Sequence, residues 1–314
     1  MSQPLTSFRH EALMYAGDAE FLAGTVPFIL DGLTAGEPIL VVERPEKADL
    51  LRAELGVDAD AVQFADMLEV GANPARIIPA WHDFVARHGG PGRPVRGIGE
   101  PIWRGRGPAE LTECQRHESL LNVAFAPGAA WWLLCPYDTV ALAPVVIDEA
   151  RRSHPFISER SAHGESDDFR GLGAPAALLD APLAAPPRQH YELAFGPGGL
   201  VGLREFVAAH TRQAGFGADR VENLVLAVSE VAANSVRHGG GRGVLRLWQE
   251  RDAFVCEVRD RGNFDRPLVD RVRPGDDPGA SRGLWLANHL CDLVQIRSLP
   301  SGTVVRLHLR NQAA

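Results

Sequence analysis

The sequence predicts an α/β protein with two domains, and three observations carry this prediction. The chain has 314 residues, while one domain usually holds about 100 to 200 residues, so two hydrophobic cores are expected. Apolar runs at 38–43 and 130–135 indicate strands, and the helical spacing around them is typical of a parallel sheet with both faces covered. In the second half, two helices, a hairpin, a loop, a third helix and a second hairpin predict helices on one face of a mixed sheet.

Composition and charge exclude several classes of protein. The chain is 45% hydrophobic and 23% charged, which is typical of a folded protein. Acidic residues outnumber basic ones 40 to 32, giving a formal charge of -8, so direct binding to nucleic acid is not expected. The sequence shows neither a long apolar run nor a secretory leader, so no contact with a membrane is expected. The cysteines form no C-x-x-C pair, which favours reduced thiols and a cytoplasmic location.

A change in composition predicts the boundary between the domains. Residues 158–190 are rich in Ala, Pro, Gly and Asp and lack sustained periodicity, which is typical of a linker. We therefore expect a first domain over 1–157 and a second domain over 191–314.

The second domain is predicted to contain three helices and two hairpins. The expected helices span 203–214, 219–238 and 283–292, and the expected strands span 243–250, 254–259, 293–298 and 303–309. The long helix opens with Asp219, and Glu222 follows three positions later. This spacing predicts a capping box at the start of the helix.

Two polar side chains share one face of the long helix. Glu230 and Asn234 are four positions apart, and the helical period places them away from the apolar stripe that contains Val228. An amide oxygen can ligate Mg²⁺, while a carboxylate can accept a proton from an attacking hydroxyl. An isolated pair of this kind is far more often a solvated helix face.

A second candidate contact follows the strand at 254–259. The carboxylate of Asp260 can accept a hydrogen bond from an adenine amino group, and Gly262 lets the backbone approach a flat base. The same residues also fit an ordinary turn.

Two further loops carry weaker signals. Residues 277–284 lead into a helix whose N-terminal N–H groups favour phosphate, with Arg282 adding charge; a surface loop with a cap explains them too. Within Gly302-Thr303 the hydroxyl can face a nucleobase, although a hairpin turn also explains the glycine.

In this order the four signals resemble the N, G1, G2 and final Gly-Thr boxes of the GHKL ATPase superfamily, over 200–310. The resemblance implies a Bergerat α/β sandwich that binds ATP and Mg²⁺. Because no helix pair for dimerisation and phosphoacceptance is evident, the domain looks like the anti-sigma factor serine kinases of the RsbW type. The roles that this resemblance implies are catalytic base for Glu230, Mg²⁺ ligand for Asn234, adenine contacts for Asp260 and Gly262, a phosphate-lid contact for Gly283, and support of the base for Thr303.

Two residues keep other functions open. Ser281 stands where the family usually has a lid glycine, which favours a catalytically silent module that binds nucleotide and partners. His210 lies on the preceding helix and would be the acceptor of an incomplete histidine kinase. It lacks the acidic neighbour and downstream proline of an acceptor box, so we interpret it as a surface histidine.

The first half resembles the MEDS sensory domain over 8–157. The segments that carry this resemblance are 10–15, 27–30, 99–103, 118–122 and 134–138. The family implies a RecA-like fold that has lost its phosphate loop, and 31–38 indeed lacks the G-K-[ST] that cradles phosphates. We expect this domain to sense a small-molecule or protein signal.

One possible metal or redox site in the first half is weak. Cys114 and His117 are three apart on an expected helix, and His10 could join them. Because no second ligand pair is evident, we interpret these side chains as structural.

The leading hypothesis is a cytoplasmic regulator of transcription. By its resemblance to the RsbW type, the second domain would sequester a sigma factor and phosphorylate a serine of a STAS-type anti-anti-sigma protein. The resemblance also suggests a homodimer.

Overall fold

The computed structural model describes residues 7–125, 130–159, 162–171, 182–263, 268–273 and 282–311. The chain divides into two compact units, Met1–Ala174 and Pro175–Ala314. We call these units the first and the second domain.

The first domain is built on a seven-stranded sheet with the order β3-β2-β4-β5-β1-β6-β7. Every pairing is parallel except that of β6 with β7. The strands are β1 Phe8–Tyr15, β2 Ile39–Glu43, β3 Gln63–Asp66, β4 Val95–Gly99, β5 Trp131–Asp138, β6 Phe156–Glu159 and β7 Ala162–Glu165. The central strands are buried almost without interruption, as expected for parallel strands that are covered on both faces.

Six described helices connect these strands. They are α1 Gly17–Thr34, α2 Pro45–Leu55, α3 Met67–Val70, α4 Ile77–His88, α5 Pro108–Phe125 and α6 Pro144–Ser153, with short 3₁₀ turns at Gly56–Ala61 and Pro74–Arg76. Pro45 and Pro144 open α2 and α6, where the missing N–H is harmless and the fixed φ suits a helix. The parallel α/β architecture expected for this half is confirmed.

The range assigned to a linker from sequence contains ordered structure at both ends. Strand β7 and the end of β6 lie in the first sheet. In the second domain the carbonyl of Ala184 accepts a hydrogen bond from Arg306 Nη2 at 2.7 Å. The side chains of 158–190 do not predict these contacts, because the strand pairing and the Ala184 contact are made by backbone groups.

The second domain carries a five-stranded sheet with the order β11-β12-β10-β9-β8. Its strands are β8 Tyr191–Phe195, β9 Gly243–Gln249, β10 Ala253–Asp260, β11 Leu293–Leu299 and β12 Gly302–Arg310, and its described helices are α7 Leu200–Gln213, α8 Ala218–His238 and α9 Arg282–Leu290. All pairings between these strands are antiparallel, so the expectation of a mixed sheet is wrong. Two of the four pairings belong to the tight hairpins β9–β10 and β11–β12, because neighbouring strands joined by short turns must run in opposite directions.

Alternation along the strands places the core of the second domain on one face of the sheet. Phe254, Cys256 and Val258 pack with residues of α7, α8 and α9. The opposite face holds the fully buried carboxylate of Glu257, which accepts hydrogen bonds from Arg306 Nη2 and Arg259 Nε, both at 2.6 Å. The α/β sandwich expected for this half is therefore confirmed, with the three helices packed on a single face.

The capping box expected at Asp219 is absent. Helix α8 begins one residue earlier, with Gly217 as N-cap and no side-chain cap hydrogen bond. Asp219 therefore lies in the first turn of the helix. There its negative charge interacts favourably with the helix dipole, and its side chain does not act as the cap.

Gly302 is required by the hairpin that joins β11 to β12. Its φ is +123°, and a Cβ at this position would lie 1.9 Å from the carbonyl oxygen of Asp260. No side chain fits there, so the start of β12 can press directly against the end of β10.

We expect Gly302→Ala to lower the free energy of unfolding by about 3 kcal/mol or more, because it adds both backbone strain and a clash with backbone atoms. Urea denaturation of the full chain measures this loss. Gly202→Ala is the matched control, since Gly202 lies in α7 with no atom within 4 Å of the added Cβ, and a gain of about 0.5–1 kcal/mol is expected. Equal stability of the two variants would contradict this account of the hairpin.

Candidate functional site

One edge of the candidate site is formed by α8 and the start of α9. Glu230 and Asn234 are both half-buried on α8. A Cβ on Gly283, the second residue of α9, would lie 3.0 Å from Cβ and Oε2 of Glu230 and 3.2 Å from Nδ2 of Asn234. The two side chains therefore face the N-terminus of α9 and not bulk solvent, and the close approach depends on the absence of a side chain at Gly283.

The orientation of the Asn234 amide is set by a neighbour on the same helix. Its Oδ1 accepts a hydrogen bond from Arg237 Nη2 at 3.1 Å. An amide oxygen has two lone pairs, so one is left for a hard cation such as Mg²⁺, while Nδ2 is the amide atom that lies nearer the start of α9.

The second edge is formed by the end of β10. Ser235 Oγ donates to Oδ2 of Asp260 at 2.5 Å, and the backbone N–H of Gly262 donates to Oδ1 at 2.8 Å. Each carboxylate oxygen can accept more than one hydrogen bond. Asp260 is thus fixed in place by two donors while it keeps acceptor capacity for a ligand.

Thr303 ties this edge to β12. Its side chain is buried, and Oγ1 donates to the carbonyl oxygen of Gly262 at 2.7 Å. The hydroxyl therefore holds the loop after β10 in place, and the contribution that the structure shows for Thr303 is positional.

The predicted residues form two groups that meet on one turn of α8. Glu230, Asn234 and Gly283 make up the first group, and a second set shares the β10 and β12 edge: Asp260, Gly262 and Thr303. Ser235 follows Asn234 directly and contacts Asp260, so it joins the two groups. Arg282, the first residue of α9, is exposed to solvent, and Ser281 and the rest of 277–281 lie outside the described residues.

Sequence reasoning missed Ser235 and a polar contact behind α9. Asn288 Nδ2 donates to the carbonyl oxygen of Asp270 at 3.0 Å. The side chains of Ser235, Asp270 and Asn288 are all buried. This contact holds the segment 268–271 against α9. Only the position of Ser235 next to Asn234 gave a signal, because Asp270 and Asn288 are 18 positions apart and share no local spacing.

The two histidines considered as functional candidates have structural surroundings. His238 lies exposed in the last turn of α8, where a helix dipole favours it. His210 is half-buried rather than a surface residue: its Nδ1 lies 2.8 Å from the carbonyl oxygen of Phe206, and its ring centroid lies 4.1 Å from that of Tyr191. The aromatic neighbour comes from β8, a strand that sequence reasoning did not predict.

A separate group of charges lies in the first domain, at the carboxyl ends of β1, β2 and β4. This edge is where ligands bind in open α/β sheets. Lys47 Nζ lies 3.3 Å from Oε2 of Glu100 and over the rings of Tyr15 and Phe21, and Tyr15 Oη donates to Oε1 of Glu100 at 2.7 Å. The only lysine of the chain is therefore buried in an ion pair.

Glu43 completes this buried group, which we call the Glu43 cluster. Its side chain is fully buried, and neither carboxylate oxygen has a hydrogen-bond partner among the described residues. Burial, reinforced by the negative charge of Glu100, raises the pKa of Glu43 well above its ordinary value. Burial likewise raises the pKa of Glu100, although Lys47 opposes the shift. The cluster therefore holds a proton at pH values where exposed glutamates are ionised.

The variant Glu43→Gln tests whether Glu43 is protonated in the folded protein. A carboxyl group whose pKa is raised by folding contributes stability below its unfolded pKa, and that contribution is lost as the pH rises towards the folded pKa. Gln cannot ionise, so we expect the variant to gain stability relative to the parent, by about 1 kcal/mol or more, as the pH rises above about 5, where exposed glutamates are ionised. Urea denaturation at a series of pH values measures the difference.

Glu46→Gln provides the control for that measurement, because the Glu46 side chain is 70% exposed. We expect no pH-dependent difference from the parent. A Glu43→Gln curve that runs parallel to the parent curve would show that Glu43 titrates normally.

Each half of the chain matches a known family. Residues 9–155 match the MEDS family, described as the methanogen/methylotroph, DcmR sensory domain. Residues 195–309 match the histidine kinase-like ATPase domain, and this range contains all the predicted nucleotide contacts. No curated protein matches the chain.

Among solved structures, the RsbU and RsbW domains of Rv1364c from Mycobacterium tuberculosis are similar to part of the chain. The sequence identity is 19% and the TM-score is 0.31, and the match covers 40% of this chain and 33% of that chain. None of the described helices is both long and apolar enough to span a bilayer. The chain thus joins an N-terminal MEDS sensory domain to a C-terminal histidine kinase-like ATPase domain.

Proposed function

We propose that the second domain is a protein serine kinase of the RsbW type. It would bind ATP with Mg²⁺ and phosphorylate a serine of a STAS-type anti-anti-sigma protein. One observation carries the proposal: a single turn of α8 presents Asn234 towards the start of α9 and, through Ser235, holds Asp260 at the end of β10.

The side chains present suit a nucleotide with its metal. The free N–H groups at the start of a helix favour phosphate, and α9 starts beside Glu230 and Asn234. Asn234 offers an amide oxygen to Mg²⁺, and Asp260 offers remaining acceptor capacity to an adenine amino group. Gly262 and Thr303 would shape the floor below the base. ATP supplies the phosphoryl group when it is bound.

Glu230 is the proposed general base. A carboxylate that accepts the proton of the attacking hydroxyl makes the serine oxygen a better nucleophile. Glu230 also lines a groove of about 580 Å³ between α7 and α8, together with Leu226, which is 44% exposed. The groove supports a protein substrate because it gives a partner's side chain access to the carboxylate.

The regulatory part of the proposal concerns partners. Sequestration of a sigma factor and release after a change in the phosphorylation of the STAS protein would make the chain a partner switch. The MEDS domain would supply the signal, either a small molecule or a protein, and a homodimer is the proposed assembly. The four cysteines are buried and form no disulfide, which supports a reducing, cytoplasmic environment.

Glu230→Gln tests the catalytic assignment. With Mg-ATP and candidate STAS proteins, we expect phosphoryl transfer to fall by two orders of magnitude or more, while nucleotide affinity stays close to that of the parent. Radiolabelled transfer and isothermal titration calorimetry measure the two quantities. Glu222→Gln is the control, because Glu222 is an exposed glutamate of the same helix and the same groove, and transfer should be unchanged.

Two outcomes would contradict the proposal. Full transfer by Glu230→Gln would remove Glu230 as the base. Nucleotide binding by the parent without transfer to any STAS protein would favour the alternative of a catalytically silent module, in which nucleotide only orders a docking surface.

A further inference from the structure

A second group of four buried side chains meets in the interior of the first domain. They come from four different elements: His10 from β1, Glu118 from α5, Cys135 from β5, and His154 from the position after α6. Each is at most 2% exposed. One potential ligand atom of each side chain lies within 4.8 Å of the others.

The distances within this group are short. Glu118 Oε2 lies 3.2 Å from Nε2 of His10 and 3.3 Å from Nε2 of His154. Cys135 Sγ lies 3.4 Å from Nε2 of His10. The four atoms therefore surround one point.

The outer nitrogen of each imidazole identifies its tautomer. Asn122 Nδ2 donates to the carbonyl oxygen of Ser153 at 2.8 Å, which directs Asn122 Oδ1 to His10 Nδ1 at 3.0 Å. His154 Nδ1 lies 2.8 Å from the carbonyl oxygen of Ala150. Both outer partners are acceptors, so each Nδ1 carries the proton and each neutral Nε2 presents a lone pair.

The two Nε2 lone pairs and the Glu118 carboxylate therefore face one another with too few protons to form hydrogen bonds among them. Neither Nε2 of His154 nor Oε1 of Glu118 has a hydrogen-bond partner among the described residues. A buried carboxylate facing two imidazole lone pairs calls for a cation.

Three of the six separations between the ligand atoms suit a tetrahedral metal site. Bonds of about 2.0–2.1 Å to N or O and about 2.3 Å to S imply ligand–ligand separations of about 3.3–3.6 Å. The three separations above are within 0.1 Å or so of this range. The outer contacts of His10 and His154 are those that commonly orient metal-bound imidazoles.

We propose that the MEDS domain binds one divalent transition-metal ion of the Zn²⁺ class at this point. The ligands are His10 Nε2, Glu118 Oε2, Cys135 Sγ and His154 Nε2. Binding forms the metal–sulfur bond as the Cys135 thiol releases its proton to solvent. The thiolate and the carboxylate then balance the two positive charges of the ion, so the buried site becomes neutral overall.

This site differs from the one considered from sequence alone. His10 does take part, but its companions are Glu118, Cys135 and His154 rather than Cys114 and His117. The Sγ of Cys114 instead donates to the carbonyl oxygen of Pro101 at 3.4 Å. Sequence spacing gave no signal because the four ligands are brought together by the sheet and not by one motif.

Cobalt provides the test. We expect the full chain, freed of metal with a chelator, to take up one equivalent of Co²⁺ with the visible bands of tetrahedral coordination and a sulfur-to-metal charge-transfer band. Zn²⁺ should abolish both signals by displacement. Cys135→Ser should lose the charge-transfer band and bind at least about 10-fold more weakly, whereas the matched control Cys114→Ser should keep the band.

A measurement on the unmodified chain guards against a variant that fails to fold. X-ray absorption of the protein with one equivalent of Zn²⁺ should show one sulfur and three nitrogen or oxygen neighbours. A first shell without sulfur, or no stoichiometric uptake of either metal, would overturn the proposal. Retention of the charge-transfer band by folded Cys135→Ser would overturn it as well.

Discussion

The second domain depends on the carboxylate of Asp260. Two donors hold it: the hydroxyl of Ser235 on the long helix α8 and the backbone N–H of Gly262 in the loop after β10. Because Ser235 follows Asn234, this interaction also fixes the turn of α8 that faces α9. Gly302 then lets β12 reach the end of β10 without a clash. The helix layer and the sheet thus share one polar junction, and the candidate nucleotide contacts surround it.

The first domain places its buried charges differently. Its sheet places the Glu43 cluster at the carboxyl ends of the strands and brings the four candidate metal ligands, among them His10 and Cys135, together in the interior. Both groups include charged side chains that an apolar core would exclude unless a proton, a partner or an ion compensated them. Such groups are costly for stability alone. The bound metal ion that we propose and the buried proton of the Glu43 cluster are the compensations that we infer for these two groups.

The sequence predicted those features that depend on local periodicity. Helix α8 and strand β10 were found because their apolar residues recur with a clear period, and Glu230 and Asn234 are four apart on one helix. Contacts across the chain gave no such signal: the link from Ser235 to Asp260 spans 25 positions, and the edge strand β8 is mostly exposed and lacks a continuous apolar run. The antiparallel order of the whole sheet also depends on pairing between distant strands.

The central claim is that the junction around Asp260 belongs to a Mg²⁺-dependent nucleotide pocket. The most direct measurement is calorimetric titration of the full chain with ATP, with and without Mg²⁺, for the parent, Asp260→Asn and the exposed control Asp252→Asn. The account requires one nucleotide per chain with Mg²⁺ present, binding weakened at least about 10-fold by Asp260→Asn, as loss of a hydrogen bond to a charged group implies, and unchanged binding for the control. Absence of Mg²⁺-dependent uptake, or equal affinity of Asp260→Asn and the parent, would contradict it.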